Sequence, residues 1–204
     1  MFLYARASPF FPTDKRGAGR SQGDFDSATY KDFIHDAQAG VRYLRNRSDI
    51  VPDLIGLFGC SEGGWLTPEI ATISGNIAFI INRFGPPLSW EETNLFEIEN
   101  ELLAASFSEN DIKEILGLRV RIWRYYVLAA ADSLFAISSE RELINSALAD
   151  LAKKLAPKEF PLPETLPDFD IRYYARLASN VSYDRTPFLA SLNVPTLALW
   201  RQRC

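Results

Sequence analysis

Ser61 is the residue whose surroundings best match a chemical task. It lies in Gly59-Cys60-Ser61-Glu62-Gly63, a spacing that holds a serine on a sharp turn between a strand and a helix. A hydroxyl held in this way can attack a carbonyl carbon when a base accepts its proton. An apolar run over residues 54–58 precedes the turn, and glycines at both ends of the motif let a helix start close to that strand. The pattern predicts Ser61 as a nucleophile, and the alternative is an ordinary glycine-rich turn.

The base that would take the Ser61 proton is not evident. His35 is the only histidine, and helical periodicity from Thr29 places it opposite the apolar stripe, facing solvent. We therefore expect no catalytic role for His35. Cys60 adjoins the serine, but the turn directs only its central side chain into a pocket, which predicts Cys60 as a small packed residue.

The elements around Ser61 follow an alternating order. Thr29 and Asp32 have the spacing of a capping box, which predicts a helix from Tyr30. The strand before Ser61, a helix after it and a second apolar run over residues 77–81 then imply a parallel sheet. In the flanking polar segments, we expect Asp14 and Arg16 to form an ion pair or a loop brace. The basic stretch Arg42, Arg45 and Arg47 reads as a solvated helix end.

A long helical stretch interrupts this alternation. Capping-box spacings recur at Ser89 with Glu92, Ser108 with Asp111, and Ser139 with Glu142. A further helix is predicted over residues 171–177, and a strand over 194–200. The chain therefore divides into the first part of an α/β core over residues 1–87, a helical insert over 88–185, and a return to the core over 186–204.

Composition narrows the classes of function. With 47% hydrophobic residues, 24% charged residues and a net charge of -4, the chain has no basic field for a phosphate backbone, so we expect no nucleic-acid partner. No apolar stretch has the length of a membrane span. One histidine and two cysteines far apart predict no metal site, and we expect no cofactor. The few cysteines favour a reducing cytoplasm.

Four features of the sequence occur in a fixed order that resembles a known superfamily. They are Asp14-Lys15-Arg16-Gly17-x-Gly19-x-Ser21, then Gly59-x-Ser61-x-Gly63-Gly64, then the helical insert, then Tyr183-Asp184, Pro187 and Val194-Pro195 before a strand. This series, from about Asp14 to Trp200, resembles the α/β-hydrolases, in particular the serine aminopeptidase-like and prolyl-oligopeptidase-like members. The resemblance implies a doubly wound parallel sheet with a helical lid. It also implies hydrolysis of an ester or a peptide bond through an acyl-serine intermediate.

The resemblance assigns some roles and leaves others without a residue. It makes Ser61 the nucleophile and the backbone N–H of Glu62 one oxyanion donor. In the family, an acid follows the strand that corresponds to residues 194–200, and a histidine follows one further strand, but here only Arg201-Gln202-Arg203-Cys204 remains. We therefore expect a chain truncated at both ends relative to the family, and inactive by itself. A missing family strand would also leave the strand before Ser61 with an unpaired, apolar edge.

Aromatic residues of the insert have two interpretations. Trp90, Trp123 and Tyr126, with Tyr125 and Phe135, could line a substrate pocket beneath a lid, or they could form the core of the insert itself. The leading hypothesis is a serine hydrolase acting on a small ester or peptide. The competing hypothesis is a non-catalytic binding or assembly module that keeps the fold, and the oligomeric state stays open.

Overall fold

Three short parallel strands form the sheet of the computed structural model, which describes residues 10–85, 88–132, 139–168 and 170–199. The strands are β1 (Leu57–Cys60), β2 (Ile80–Arg83) and β3 (Thr196–Leu199), in the spatial order β1-β2-β3. Leu57 lies opposite Ile80, and Ile80 lies opposite Thr196. The protein is therefore an α/β protein with a parallel sheet, as the alternating order of elements predicts.

Helices account for most of the remaining chain. They are α1 (Tyr30–Arg45), α2 (Glu62–Ser74), α3 (Trp90–Ala104), α4 (Glu109–Ala131), α5 (Ser139–Leu155), α6 (Ile171–Val181) and α7 (Thr186–Ala190), with a 3-10 helix over Pro52–Leu54. Helix α2 crosses from β1 to β2, whereas α3 to α6 all lie between β2 and β3 in the sequence. The helical stretch is thus inserted between two neighbouring strands.

Hydrogen-bonded caps explain where several helices begin. The capping boxes of Thr29 with Asp32 and of Ser89 with Glu92 form in both directions, and Ser108 caps α4 by accepting the N–H of Asp111 at 3.2 Å. The prediction of Ser139 as a cap is wrong, because α5 already includes Ser139. The residue before it lies outside the described part of the chain.

Arg45 joins α1 to the end of α2, which corrects its interpretation as a solvated helix end. Its guanidinium donates to the carbonyl oxygen of Ser74 at 2.8 Å and also to those of Gly75 and Asn76. The C=O groups in the last turn of a helix have no N–H partner within that helix and need one from elsewhere. Arg45 therefore caps a neighbouring helix.

Apolar side chains pack in separate clusters for the two parts of the chain. Val41, Ile55 and Ile80 represent the cluster between α1, α2 and the sheet. The helical stretch has its own larger cluster, which includes Ile115, Ile122, Trp123, Tyr125, Tyr126, Ile144, Leu148 and Tyr174. Trp90 packs against this helical cluster and also against a third cluster of α1 and α2 residues. Tyr183, whose ring centre lies 5.1 Å from that of Tyr30, joins the same third cluster. Trp90 and Tyr183 therefore both link the helical stretch to the core.

Strand β1 lies at an edge of the sheet, and among the described strands it pairs only with β2. Leu54 and Phe58 are 69% and 48% exposed, although Ile55 is buried. Cys60 is exposed as well, so its prediction as a packed residue is wrong. Phe58 and Cys60 lie two positions apart and therefore on the same face of the sheet. That face is poorly covered at β1, although the Phe10 ring centre lies 6.1 Å from that of Phe58. The unpaired, partly apolar edge expected from the sequence is present in the described chain.

The predicted strand limits are only approximately right. Leu54 belongs to the 3-10 helix, and β2 begins at Ile80 rather than at residue 77. Ile77 is nevertheless buried, so its apolar character reflects packing before the strand rather than pairing within it. Trp200, the predicted end of the last strand, lies outside the described residues. No described helix combines the length and the apolar character needed to cross a membrane.

Candidate functional site

Ser61 occupies a strained backbone conformation between β1 and α2. Its φ of 52° and ψ of -117° lie in a region that residues with a Cβ rarely adopt. The Ser61 N–H donates to the Arg83 carbonyl at 2.9 Å, and the Ser61 carbonyl accepts the Gly64 N–H at 2.8 Å. The residue is thus held by the end of β2 on one side and by the first turn of α2 on the other. Its side chain is exposed.

The two motif glycines have different reasons to be glycine. A Cβ on Gly59 would lie 2.4 Å from the Gly63 carbonyl oxygen and 2.7 Å from the Thr67 Cγ2, closer than atoms can pack. A Cβ on Gly63 would meet nothing within 4 Å. The strand therefore approaches α2 closely only because residue 59 has no side chain, and the expected steric need for glycine at 63 is absent.

Asn82 fastens the turn to the next strand, a role that the sequence reading missed. Its Nδ2 donates to the Gly64 carbonyl at 3.1 Å, and its Oδ1 accepts the Gly85 N–H at 2.9 Å. The backbones of Gly64 and Gly85 approach so closely that a Cβ on Gly85 would lie 2.6 Å from the Gly64 Cα. The sequence signal for this role was a polar residue directly after the apolar run at 77–81, with a glycine three positions later.

A second strained residue lies beside Ser61 at the carboxyl ends of the strands. Phe84 follows β2 and has a φ of 60°, which is rare for a bulky side chain. Its N–H donates to the Leu199 carbonyl at 3.0 Å, so the strand ladder holds it there. Strained residues concentrate at functional sites, and parallel sheets bind ligands beyond the carboxyl ends of their strands. Both properties favour a functional site at the carboxyl ends of the strands, around Ser61 and Phe84.

The glycine-punctuated loop contacts the turn through Lys15. The Lys15 ammonium pairs with the Glu62 carboxylate and lies 5.1 Å from the centre of the Phe33 ring. Arg16 pairs with Asp32 at 2.9 Å and with Asp36 at 2.7 Å. Arg16 is therefore a brace between the loop and α1, and it does not pair with Asp14 as one expectation held.

Asp14 braces the loop from within. Its carboxylate accepts the Arg20 N–H at 3.1 Å, and its carbonyl accepts the Ser21 hydroxyl at 3.0 Å. The loop-brace interpretation of both Asp14 and Arg16 is confirmed, and the ion pair between them is wrong. Lys15, which the sequence reading passed over, is the loop residue that reaches the candidate site.

Backbone N–H groups at the start of α2 lie beside Ser61, and no described residue is placed to accept its hydroxyl proton. Glu62 begins α2, and the first N–H groups of a helix have no intrahelical acceptor and carry a partial positive charge. No hydrogen bond joins the Ser61 hydroxyl to another described residue. His35 is exposed on α1, as predicted. Among all the described residues, no group of three or more histidine, cysteine or acidic side chains has the arrangement of a metal site.

The three predicted pocket residues lie together, away from the Ser61 turn. Trp90 on α3 and Trp123 on α4 are in edge-to-face contact, with ring centres 4.9 Å apart. With Tyr126 they line a cavity of about 590 Å³ between α3, α4, α6 and the segment of residues 163–167. Neither Ser61 nor either motif glycine lines this cavity. Trp123 and Tyr126 also belong to the core of the helical stretch, while Phe135 lies outside the described residues.

A buried cation lies where the helical stretch meets the core. Arg185 is 4% exposed, and its Nη2 donates to the Leu88 carbonyl at 2.7 Å. Its guanidinium carbon lies 5.9 Å from the Trp65 ring centre, but no described carboxylate pairs with it. Burial lowers the pKa of Arg185 to about 10, an effect that the neighbouring Tyr183 partly opposes. The sequence reading assigned no role to this residue.

No model of a protein family matches the chain, and no solved structure matches it. The residues at the strand-to-helix turn and in the helical cavity are therefore the basis for inferring a function.

Proposed function

We propose that Ser61 is the nucleophile of a serine hydrolase that cleaves an ester or a peptide bond through an acyl-serine intermediate. The observation that carries this proposal is the Ser61 backbone, with φ 52° and ψ -117° on an exposed turn from a parallel strand into a helix. Such a turn costs about 1–3 kcal/mol of strain. A serine that only closes a loop has no need for it, whereas a serine presented to a substrate does.

The chemistry follows from the position of Ser61 at the start of α2. The Ser61 oxygen attacks the carbonyl carbon, and its proton passes to a base. The Glu62 N–H stabilises the negative charge that develops on the carbonyl oxygen. Collapse of the tetrahedral intermediate breaks the bond to the leaving alcohol or amine, which takes the proton from the base. Water then releases the acid and regenerates the hydroxyl.

The general base is the part of this mechanism that the described residues do not supply. In the proposal, imidazole from outside the chain can therefore replace the missing histidine. The substrate class is a small ester or peptide, and the cytoplasm is the proposed location because the chain has few cysteines.

Covalent labelling of Ser61 tests the proposal. The full chain is incubated with a fluorophosphonate, with and without imidazole, and the labelled peptides are identified by mass spectrometry. We expect imidazole to accelerate labelling of Ser61 in the folded chain, and urea-unfolded protein to lose this acceleration. Ser48, which is also exposed, serves as an internal control. Labelling of Ser61 no faster than that of Ser48 under every condition would reject the nucleophile.

A binding or assembly module is the second candidate, and one observation favours it. The aromatic-lined cavity of about 590 Å³ does not include Ser61, so a ligand there need not meet the nucleophile. The Ser61→Ala variant separates the two functions. A hydrolase loses covalent labelling and turnover on this substitution, whereas a binding module retains its ligand.

A further inference from the structure

Arg119 lies in the wall of the helical cavity and has no ion-pair partner among the described residues. It lies on α4, and its Nε is buried without a hydrogen-bond partner. None of its nitrogens forms an ion pair with a described carboxylate. Two residues further along the same helix, Arg121 pairs with Glu140 at 2.8 Å. On helix α4, Arg121 therefore has a structural partner, whereas Arg119 lines the cavity without an ion-pair partner.

Burial makes the unpaired state of Arg119 costly. It lowers the pKa of the guanidinium, and this effect is larger than the opposing influence of Tyr126. A buried donor without an acceptor loses its hydration without compensation. A bound anion would supply both the missing acceptor and the missing charge.

The remaining walls of the cavity fit an apolar body. The guanidinium carbon of Arg119 lies 5.9 Å from the centre of the Trp123 ring, which packs against Trp90. Ile98 and Leu177 add aliphatic surface. The volume of about 590 Å³ falls within the range of small-molecule sites, about 300–1,000 Å³. An anionic end and an apolar body can therefore be held at the same time.

Two carboxylates limit which anions fit. Glu97 and Glu101 line the same cavity from α3, and both are exposed, so they lie at its solvent-facing side. Their negative charge repels a ligand that carries a second anionic group at its outer end. The cavity thus combines one inner cation with an acidic rim.

We propose that this cavity is a binding site for an apolar monocarboxylate, whose carboxylate pairs with Arg119 and whose hydrocarbon or aromatic body packs on Trp90 and Trp123. The site requires no reaction at Ser61. Its failure is therefore distinguishable from failure of the hydrolase proposal, because Ser61→Ala leaves ligand binding unchanged.

Calorimetric titration of the full chain with 3-phenylpropanoate tests the proposal. The matched probes are 3-phenylpropanamide, which keeps the shape without the charge, and 3-(4-carboxyphenyl)propanoate, which adds a second carboxylate at the outer end. Charge-assisted hydrogen bonds are about twice as strong as neutral ones, so we expect the amide to bind at least about 10-fold more weakly than the acid. We expect the dicarboxylate to bind more weakly than the monocarboxylate. Equal affinity for acid and amide, or no binding of the acid, would overturn the proposal.

Variants on α4 locate the site. Arg119→Gln should reduce the affinity for 3-phenylpropanoate to that of the amide. Arg124→Gln removes the same charge from an exposed position on the same helix and should change affinity by less than about two-fold. Unchanged binding by Arg119→Gln would place the carboxylate elsewhere and reject the assignment. If circular dichroism shows that this variant does not fold, the comparison of acid with amide in the unchanged chain decides alone.

Discussion

Arg185 donates from Nη2 to the carbonyl oxygen of Leu88 at 2.7 Å, and this bond closes the helical stretch on itself. The two residues are 97 positions apart and lie at the two ends of the insert predicted from the sequence. The closure is made by a buried cation with no described counter-charge. A buried charge without a counter-charge costs free energy. The stability of the protein should therefore depend on both the charge and the shape of the side chain at position 185.

We expect Arg185→Lys to lower the free energy of unfolding more than Arg185→Met. Lysine keeps the cost of a buried charge but lacks the planar group that reaches Leu88 and lies near Trp65. We therefore expect the lysine variant to lose about 2 kcal/mol of unfolding free energy. Methionine removes the charge, and exposed Leu88 can bond to water instead, so the loss should be about 1 kcal/mol or less. Urea unfolding of the three proteins measures the order. A lysine variant as stable as the parent would contradict this account.

The motif glycines should respond in opposite ways to alanine. Gly59→Ala places a methyl group against the Gly63 backbone and the Thr67 side chain, and overpacking of this kind costs about 1–3 kcal/mol. Gly63→Ala finds open space, and alanine favours helix by up to about 1 kcal/mol over glycine. Thermal melts of both variants test the pair. Equal destabilisation would show that the close approach at residue 59 is not what requires glycine.

Relief of the strain at Ser61 should stabilise the fold. Glycine adopts a φ of 52° without the steric cost that serine and alanine share. After the larger entropy loss of glycine is subtracted, we expect Ser61→Gly to gain about 1 kcal/mol over Ser61→Ala. Chemical unfolding of these two variants isolates the backbone effect, because both lack the hydroxyl. A glycine variant that is no more stable than the alanine variant would exclude stored strain.

Asp32 should make stability depend on pH in acid. Its carboxylate accepts the N–H and hydroxyl of Thr29 and lies near Arg16, and these interactions hold its pKa below the usual value of 3.8. A lowered pKa in the folded state gives stability that is present above 3.8 and is lost as the pH falls through the folded value. Asp32→Asn should therefore cost about 1 kcal/mol at neutral pH, with a smaller difference in acid.

Unfolding curves at several pH values measure the Asp32 effect. Asp53→Asn, on the exposed 3-10 helix, is the matched control and should follow the parent protein. A constant difference between Asp32→Asn and the parent across the acid range would mean that the carboxylate charge contributes nothing to the cap.

Features that depend on residues close together in the sequence were predicted correctly more often than features that depend on residues far apart. The caps at Thr29 and Ser89 and the turn at Ser61 depend on residues a few positions apart, and the sequence contains all of that information. Arg45 and Asn82 act on residues 29 and 18 positions away, and nothing in their own neighbourhood marks those partners. The exposure of Cys60 depends on which face of the sheet the rest of the chain covers, which is a property of the whole fold.

The candidate site shows the same division. The motif spacing predicted Ser61 and Gly59 correctly as parts of a strand-to-helix turn, but the contact of Lys15 with Glu62 depends on the path of a loop. Arg119 was missed because a lone arginine on a helix usually faces solvent, and only the packing of α3, α4 and α6 encloses it.

Trp90 has a consequence for how the protein comes apart. Because its indole packs against both the helical cluster and the cluster of α1 and α2, neither part can melt without stripping apolar contacts from the other. Together with the contact between Tyr183 and Tyr30, this ring couples the unfolding of the two parts. The ring is also a built-in optical probe, since separation of the parts would wet one of its faces and shift its emission to the red.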